Sequence, residues 1–142
     1  MALLEAPPEV RAILDHTALQ SYARGQSQVG ELLREVADEE NAFLAVPAVA
    51  LLEAYARSID DPHGTRLLNY LVTLPGAMVL DLELGTVSRA AGHVRTLRGN
   101  VPRAHAAWAA MMYEALCVTA EPEAYPEQVL AEQLVAIPTK DG

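Results

Sequence analysis

Two apolar runs in this chain each end on an acid beside a threonine. The first is Arg11-Ala12-Ile13-Leu14-Asp15-His16-Thr17, and the second is Leu116-Cys117-Val118-Thr119-Ala120-Glu121-Pro122. A carboxylate that closes a buried strand is costly unless something at that point needs it. Glu53 is the third acid of interest. It follows Ala45-Val46-Pro47-Ala48-Val49-Ala50-Leu51-Leu52, an almost wholly apolar stretch, so it either faces solvent from its helix or points into a polar pocket. Clustered carboxylates raise one another's pKa, and a hard divalent cation removes that penalty. Asp15, Glu53 and Glu121 are therefore candidate ligands for one Mg²⁺ or Mn²⁺, an ion that activates water and holds a phosphate oxygen.

Strands and helices must bring these residues together. Ala12–Asp15 reads as a buried strand, and Thr17 to about Arg24 as a short helix stopped by Gly25. Ser27 to about Glu39 is helical, with Val29, Leu32, Leu33 and Val36 on one face and Ser27 as its N-cap. Ala42–Val46 is a second strand, and Pro47 suits the first turn of a helix running to about Ile59. Asp60-Asp61-Pro62 interrupts that pattern, and a helix from about His63 to Thr73 follows. Ala77–Leu82 is a third strand. Thr86–Leu97 is a helix with Val87, Ala90, Ala91, Val94 and Leu97 as its inward stripe. Gly99-Asn100 ends it, and Pro102 opens a helix through about Ala115. Leu116–Thr119 is a fourth strand, Glu127–Glu132 a helical turn or two, and Leu134–Ile137 a short fifth strand.

Strands that are continuous apolar runs, alternating with helices, mark a parallel sheet covered on both faces. The expected fold is α/β in three layers, with a central, mostly parallel sheet of about five strands. Ligands of such sheets bind beyond the strands' carboxyl ends, where strand order reverses. Asp15 and Glu121 both stand at such ends.

With 142 residues the chain is sized for one domain, with a core over about residues 10–138. No apolar run reaches the ~18–20 residues of a membrane span, and no secretion signal is evident at the N-terminus. The single cysteine, Cys117, reads as a buried thiol, so a cytoplasmic location is expected. The net charge of −9 argues against broad electrostatic binding to nucleic acid. Neither a GxxxxGK[ST] nor a GxGxxG phosphate loop is present, and one Cys with scattered His residues makes no zinc cluster.

Taken in order, these residues resemble the PIN-domain family of small endoribonucleases, which includes toxins of the VapC type. Ile13-Leu14-Asp15-His16-Thr17 resembles the opening motif, in which the Asp binds metal. Pro47-Ala48-Val49-Ala50-Leu51-Leu52-Glu53 resembles the second, a helix carrying a Glu. Val118-Thr119-Ala120-Glu121-Pro122-Glu123-Ala124-Tyr125 resembles the fourth, in which a Thr or Ser precedes an acid. The resemblance implies a metal-dependent RNA phosphodiesterase, with Asp15, Glu53 and Glu121 as catalytic metal ligands. It also implies RNA as substrate, an antitoxin protein as partner and a homodimer; the lack of a long apolar run gives the separate expectation of no membrane association.

The third motif departs from the family. Arg103, in Asn100-Val101-Pro102-Arg103-Ala104-His105-Ala106-Ala107-Trp108, stands where an Asp is expected. Arg103 has three readings. It pairs with Asp15, Glu53 or Glu121 and fills the metal's place, leaving a degenerate domain that works as a binding or regulatory module. It binds the substrate phosphate, which its planar fork suits. Or it faces solvent. Thr119 either bonds a phosphate or metal-bound water, or bonds backbone at the strand end. Thr17 is expected to cap the first helix. His16 and His105 flank the expected pocket. Asp81 and Glu83 read as a solvated loop, and Trp108, Met111 and Met112 as core or dimer contact.

Overall fold

We describe the protein from a computed structural model covering residues 9–126, 129–130 and 132–138. Strand β1 (Glu9–Leu14) feeds directly into helix α1 (His16–Ala23), followed by α2 (Gln28–Ala37) and β2 (Ala42–Pro47). Then come α3 (Ala48–Arg57), α4 (Pro62–Leu71), β3 (Ala77–Leu80), α5 (Leu84–Thr96) and α6 (Val101–Tyr113). Strand β4 (Leu116–Thr119), a single turn at Pro122–Ala124 and β5 (Leu134–Ala136) complete the elements of the described residues. The helical turn expected at 127–132 includes residues 127, 128 and 131, which lie outside the described residues.

The five strands form one sheet in the order β3-β2-β1-β4-β5, and every neighbouring pair is parallel. This α/β architecture, an all-parallel sheet flanked by six helices among the described residues, is consistent with the expected three-layer PIN-like arrangement. Its cause is visible in the chain. β1, β2 and β4 are buried on both faces, so both alternating sets of side chains are apolar. Ala12, Leu14, Leu44, Val46 and Val118 pack with Leu19 of α1, Leu33 of α2, Ala50 of α3 and Leu68 of α4. Ile13, Ala45 and Cys117 pack on the opposite face with a run of alanines in α6. Those alanines bring α6 close to the sheet.

The β1–β2 register shifts between Val10 and Ala12. Such an irregularity changes which face a strand residue meets. Val10 accordingly joins the α6 side, although plain alternation would put it with Ala12.

Boundaries follow local chemistry with a few differences from expectation. Asp61 caps α4 ahead of Pro62, its side chain accepting from the Gly64 N–H at 3.1 Å. Ser27 stands at the N-cap of α2 without a capping bond, while Gln26 Oε1 accepts from the Gln28 N–H at 2.7 Å. Pro47 ends β2 and precedes α3 rather than lying inside the helix. On α5 the expected inward stripe is only partly covered: Ala90 is buried, but Val87 is 47% exposed and Ala91 is exposed too. Met111 and Met112 are exposed rather than core, whereas Trp108 packs partly buried against the α6 side. No helix of the described residues is long and apolar enough to cross a membrane.

Candidate functional site

The chain runs from β1 outward through β2 to β3, then returns to the other side of β1 to lay down β4 and β5. Strand order therefore reverses between β1 and β4, the position where parallel sheets build ligand sites. Asp15 leaves the end of β1 and Thr119 ends β4, and the Asp15 N–H donates to the Val118 carbonyl at 3.1 Å.

Asp15 is wholly buried. Its Oδ1 accepts from the Thr17 hydroxyl at 2.6 Å and from the Ala18 N–H at 3.0 Å. Asp15 is thus the N-cap of α1, and Thr17, expected in that role, lies inside the helix and donates to the cap. The Oδ2 accepts from the Tyr125 hydroxyl at 2.7 Å. Each of these bonds is charge-assisted and so stronger than a neutral one.

Thr119 is also wholly buried, and its hydroxyl lies 3.1 Å from that of Thr17. The Thr119 Oγ1 accepts from the Glu121 N–H at 3.0 Å, and Thr17 Oγ1 accepts from the Ala120 N–H at 2.8 Å. The two threonines lace the β4 exit to the α1 start. Thr119 thus makes the strand-end backbone bond that was one of its two readings.

Asn100 caps α6 by accepting from the Arg103 N–H at 2.9 Å. That cap places Arg103 in the first helical turn, where the positive end of the helix dipole disfavours a cation. The compensation is Glu121, whose Oε1 accepts from an Arg103 terminal nitrogen at 2.6 Å. The guanidinium carbon also lies 5.7 Å from the centre of the Tyr125 ring, in cation–π range. Arg103 is buried while Glu121 is half exposed, and the Arg103 Nε has no hydrogen-bond partner. Of the three sequence readings, the structure places Arg103 against Glu121, turned away from solvent.

Burial dominates the titration of the neighbours. It lowers the His16 pKa, with Asp15 opposing that shift and Arg103 reinforcing it. It pushes the Cys117 thiol up to about 12, aided by the Asp15 charge. Burial, then the Asp15 carboxylate, raises the Tyr125 phenol far above its ordinary range, which keeps it a hydrogen-bond donor.

Glu53 lies on α3, where its Oε2 accepts from Arg57 Nε at 2.7 Å, one helical turn on. Asp81 and Glu83 are exposed after β3, as a solvated loop. His105 is buried but lines a separate cavity between α5 and α6. Its offset of two residues from Arg103 turns it about 200° around the helix.

A hard dication wants carboxylate oxygens that are free to converge. Both Asp15 oxygens are taken by donors, and Glu121 and Glu53 each hold an arginine. Among the described residues no group of three His, Cys, Asp or Glu side chains converges in a way that could hold a metal ion. As arranged, the donor set does not fit Mg²⁺ or Mn²⁺. Tyr125 is the member that residue-by-residue reading missed. Its signal was position: a large aromatic four residues past Glu121 in an otherwise polar, proline-flanked segment.

A scan against models of known protein families gave no match, and a search of curated protein sequences gave none either.

Proposed function

We propose that the chain is a PIN-like domain in which Arg103 stands in for the metal, and that it acts as a binding or regulatory module rather than as a nuclease. The observation that carries this reading is the 2.6 Å contact between buried Arg103 and Glu121. A guanidinium at that point gives Glu121 a positive partner that is part of the chain itself. The Asp15 carboxylate supports the same reading, because three of its roughly four acceptor sites are already taken by donors from the chain itself. The net charge of −9 weighs against the phosphate backbone of RNA as the partner.

The test is RNA cleavage in Mn²⁺ with the wild type and Asp15→Ala, alongside Mn²⁺ binding followed by electron paramagnetic resonance. The expected result is equal background cleavage by both proteins and no bound Mn²⁺. Arg103→Asp, which restores the acid of the third motif, is expected to gain Mn²⁺ binding. Cleavage by the wild type that disappears in Asp15→Ala would overturn the proposal and support the metal-dependent endoribonuclease instead.

A further inference from the structure

The cavity that His105 lines lies away from the Asp15 corner and has a volume of about 190 Å³. Val49 of α3, Leu82, and Val87, Ala91 and Val94 of α5 form its apolar wall with Val101 of α6. Two observations about it point to an occupant. First, it lies where the apolar stripe of α5 is not covered: Val87 and Val101 are each 47% exposed, and Leu82 is 39% exposed. Second, the one polar side chain in the wall is His105, which is 1% exposed and has no hydrogen-bond partner on either ring nitrogen. A buried polar group is ordinarily paired, and leaving it unpaired carries a desolvation cost. With burial as the cause, its pKa is lowered, so the ring is neutral and offers one N–H donor and one bare nitrogen acceptor.

We propose that this cavity is a binding site for a small molecule with an apolar, ring-sized body and a single hydroxyl, which hydrogen-bonds to the His105 imidazole. The size suits such a body, since a cavity of roughly 150 Å³ lined by aliphatic side chains accommodates benzene. The wall offers no charged side chain, so an ionic ligand is disfavoured. Both ring nitrogens lie beneath the cavity surface. The proposed bond thus requires the imidazole to turn toward the cavity on binding, where the hydroxyl takes up the bond that the free protein leaves unmade. The site is independent of the Asp15–Arg103 corner and does not rest on the function proposed for it.

Phenol and toluene are the probes, matched in shape and differing in the hydroxyl. Their binding to the intact chain is followed by NMR, through the methyl signals of Val87, Val94 and Val101 and the ring nitrogens of His105. Phenol is expected to shift both sets and to bind roughly five-fold more tightly than toluene, the value of one net hydrogen bond. His105→Phe is expected to erase that preference, and Ala91→Phe, at an exposed wall position, to weaken both probes. Absence of phenol-induced shifts at these methyls up to the solubility of the probe would overturn the proposal. Equal affinity for the two probes with unmoved His105 nitrogens would overturn it as well. The wild-type His105 signals decide the matter even where a variant fails to fold.

Discussion

Arg103 and His105 stand two residues apart on α6, and both are buried polar side chains. Arg103 looks toward the strand ends, where Glu121 and Tyr125 meet its guanidinium and the Asp15 network pairs the hydroxyls, leaving its own Nε and the His16 Nδ1 unpaired. His105 looks the other way, into an apolar wall that answers nothing. One helix thus carries a polar side chain with partners from the chain and, two residues on, one with no hydrogen-bond partner. Burial alone therefore does not identify a working group; what matters is whether its partners come from the chain itself. A corner closed by its own residues has little need of a ligand, and a corner left open has a reason to take one.

The largest effect should come from breaking the satisfied corner. Asp15→Ala removes the α1 cap and leaves the Thr17 and Tyr125 hydroxyls without their acceptor. A loss of about 3–5 kcal/mol in urea unfolding is expected. A loss under about 1 kcal/mol would mean that the network is not closed as described.

Acid should act on the open corner. Burial lowers the His105 pKa below the ~6.5 of an unfolded histidine. Stability is therefore fully present above that value and is lost as pH falls from it toward the folded pKa, because the unfolded chain takes up the proton first. The slope is at most ~1.4 kcal/mol per pH unit from this one group. Unfolding curves of wild type and His105→Phe between pH 7 and pH 5 isolate it, since the other titrating groups are common to both. Parallel curves would show that His105 is not held neutral by its surroundings.

At neutral pH the same variant should gain about 1 kcal/mol, because a phenyl ring leaves no unpaired nitrogen in the wall. Arg103→Met should change stability by no more than about 1 kcal/mol, since losing the ion pair is offset by sparing a buried cation its desolvation. A loss much larger than that would show Glu121 to be a stronger partner than its half-exposed position suggests. Glu53→Gln, which breaks only the helix-surface pair with Arg57, should cost ~0.5 kcal/mol or less by thermal melting.

The fold was legible because its main cause is local. Doubly buried parallel strands must be apolar runs, and Pro62, Pro102, Gly25 and Gly99 punctuate the helices between them. The glycines end α1 and α5 with φ of 97° and 82°, which side chains with a Cβ rarely adopt. The candidate site was legible only as a location. Asp15, Thr119 and Glu121 could be placed at strand ends from sequence, but their partners come from far along the chain. The Tyr125 hydroxyl reaches Asp15 across 110 residues, and no local pattern encodes such a contact. The stripe on α5 misled for a related reason. Periodicity reports which face of a helix is apolar, and it cannot report whether neighbouring elements are large enough to cover that face. Val87 and Ala91 have the right spacing, yet they border open space.

The central position of β1 has a consequence for the time course of folding. Its partner β2 is complete at Pro47, whereas β4 on its other side begins only at Leu116. During synthesis β1 is therefore an open edge until Leu116 and the residues of β4 have emerged, a setting in which pairing is slow and misassociation competes. Through that interval Asp15 stays hydrated at the tip of a half-built sheet. Burying it takes β4 and the Tyr125 hydroxyl, which lies 110 residues further along the chain.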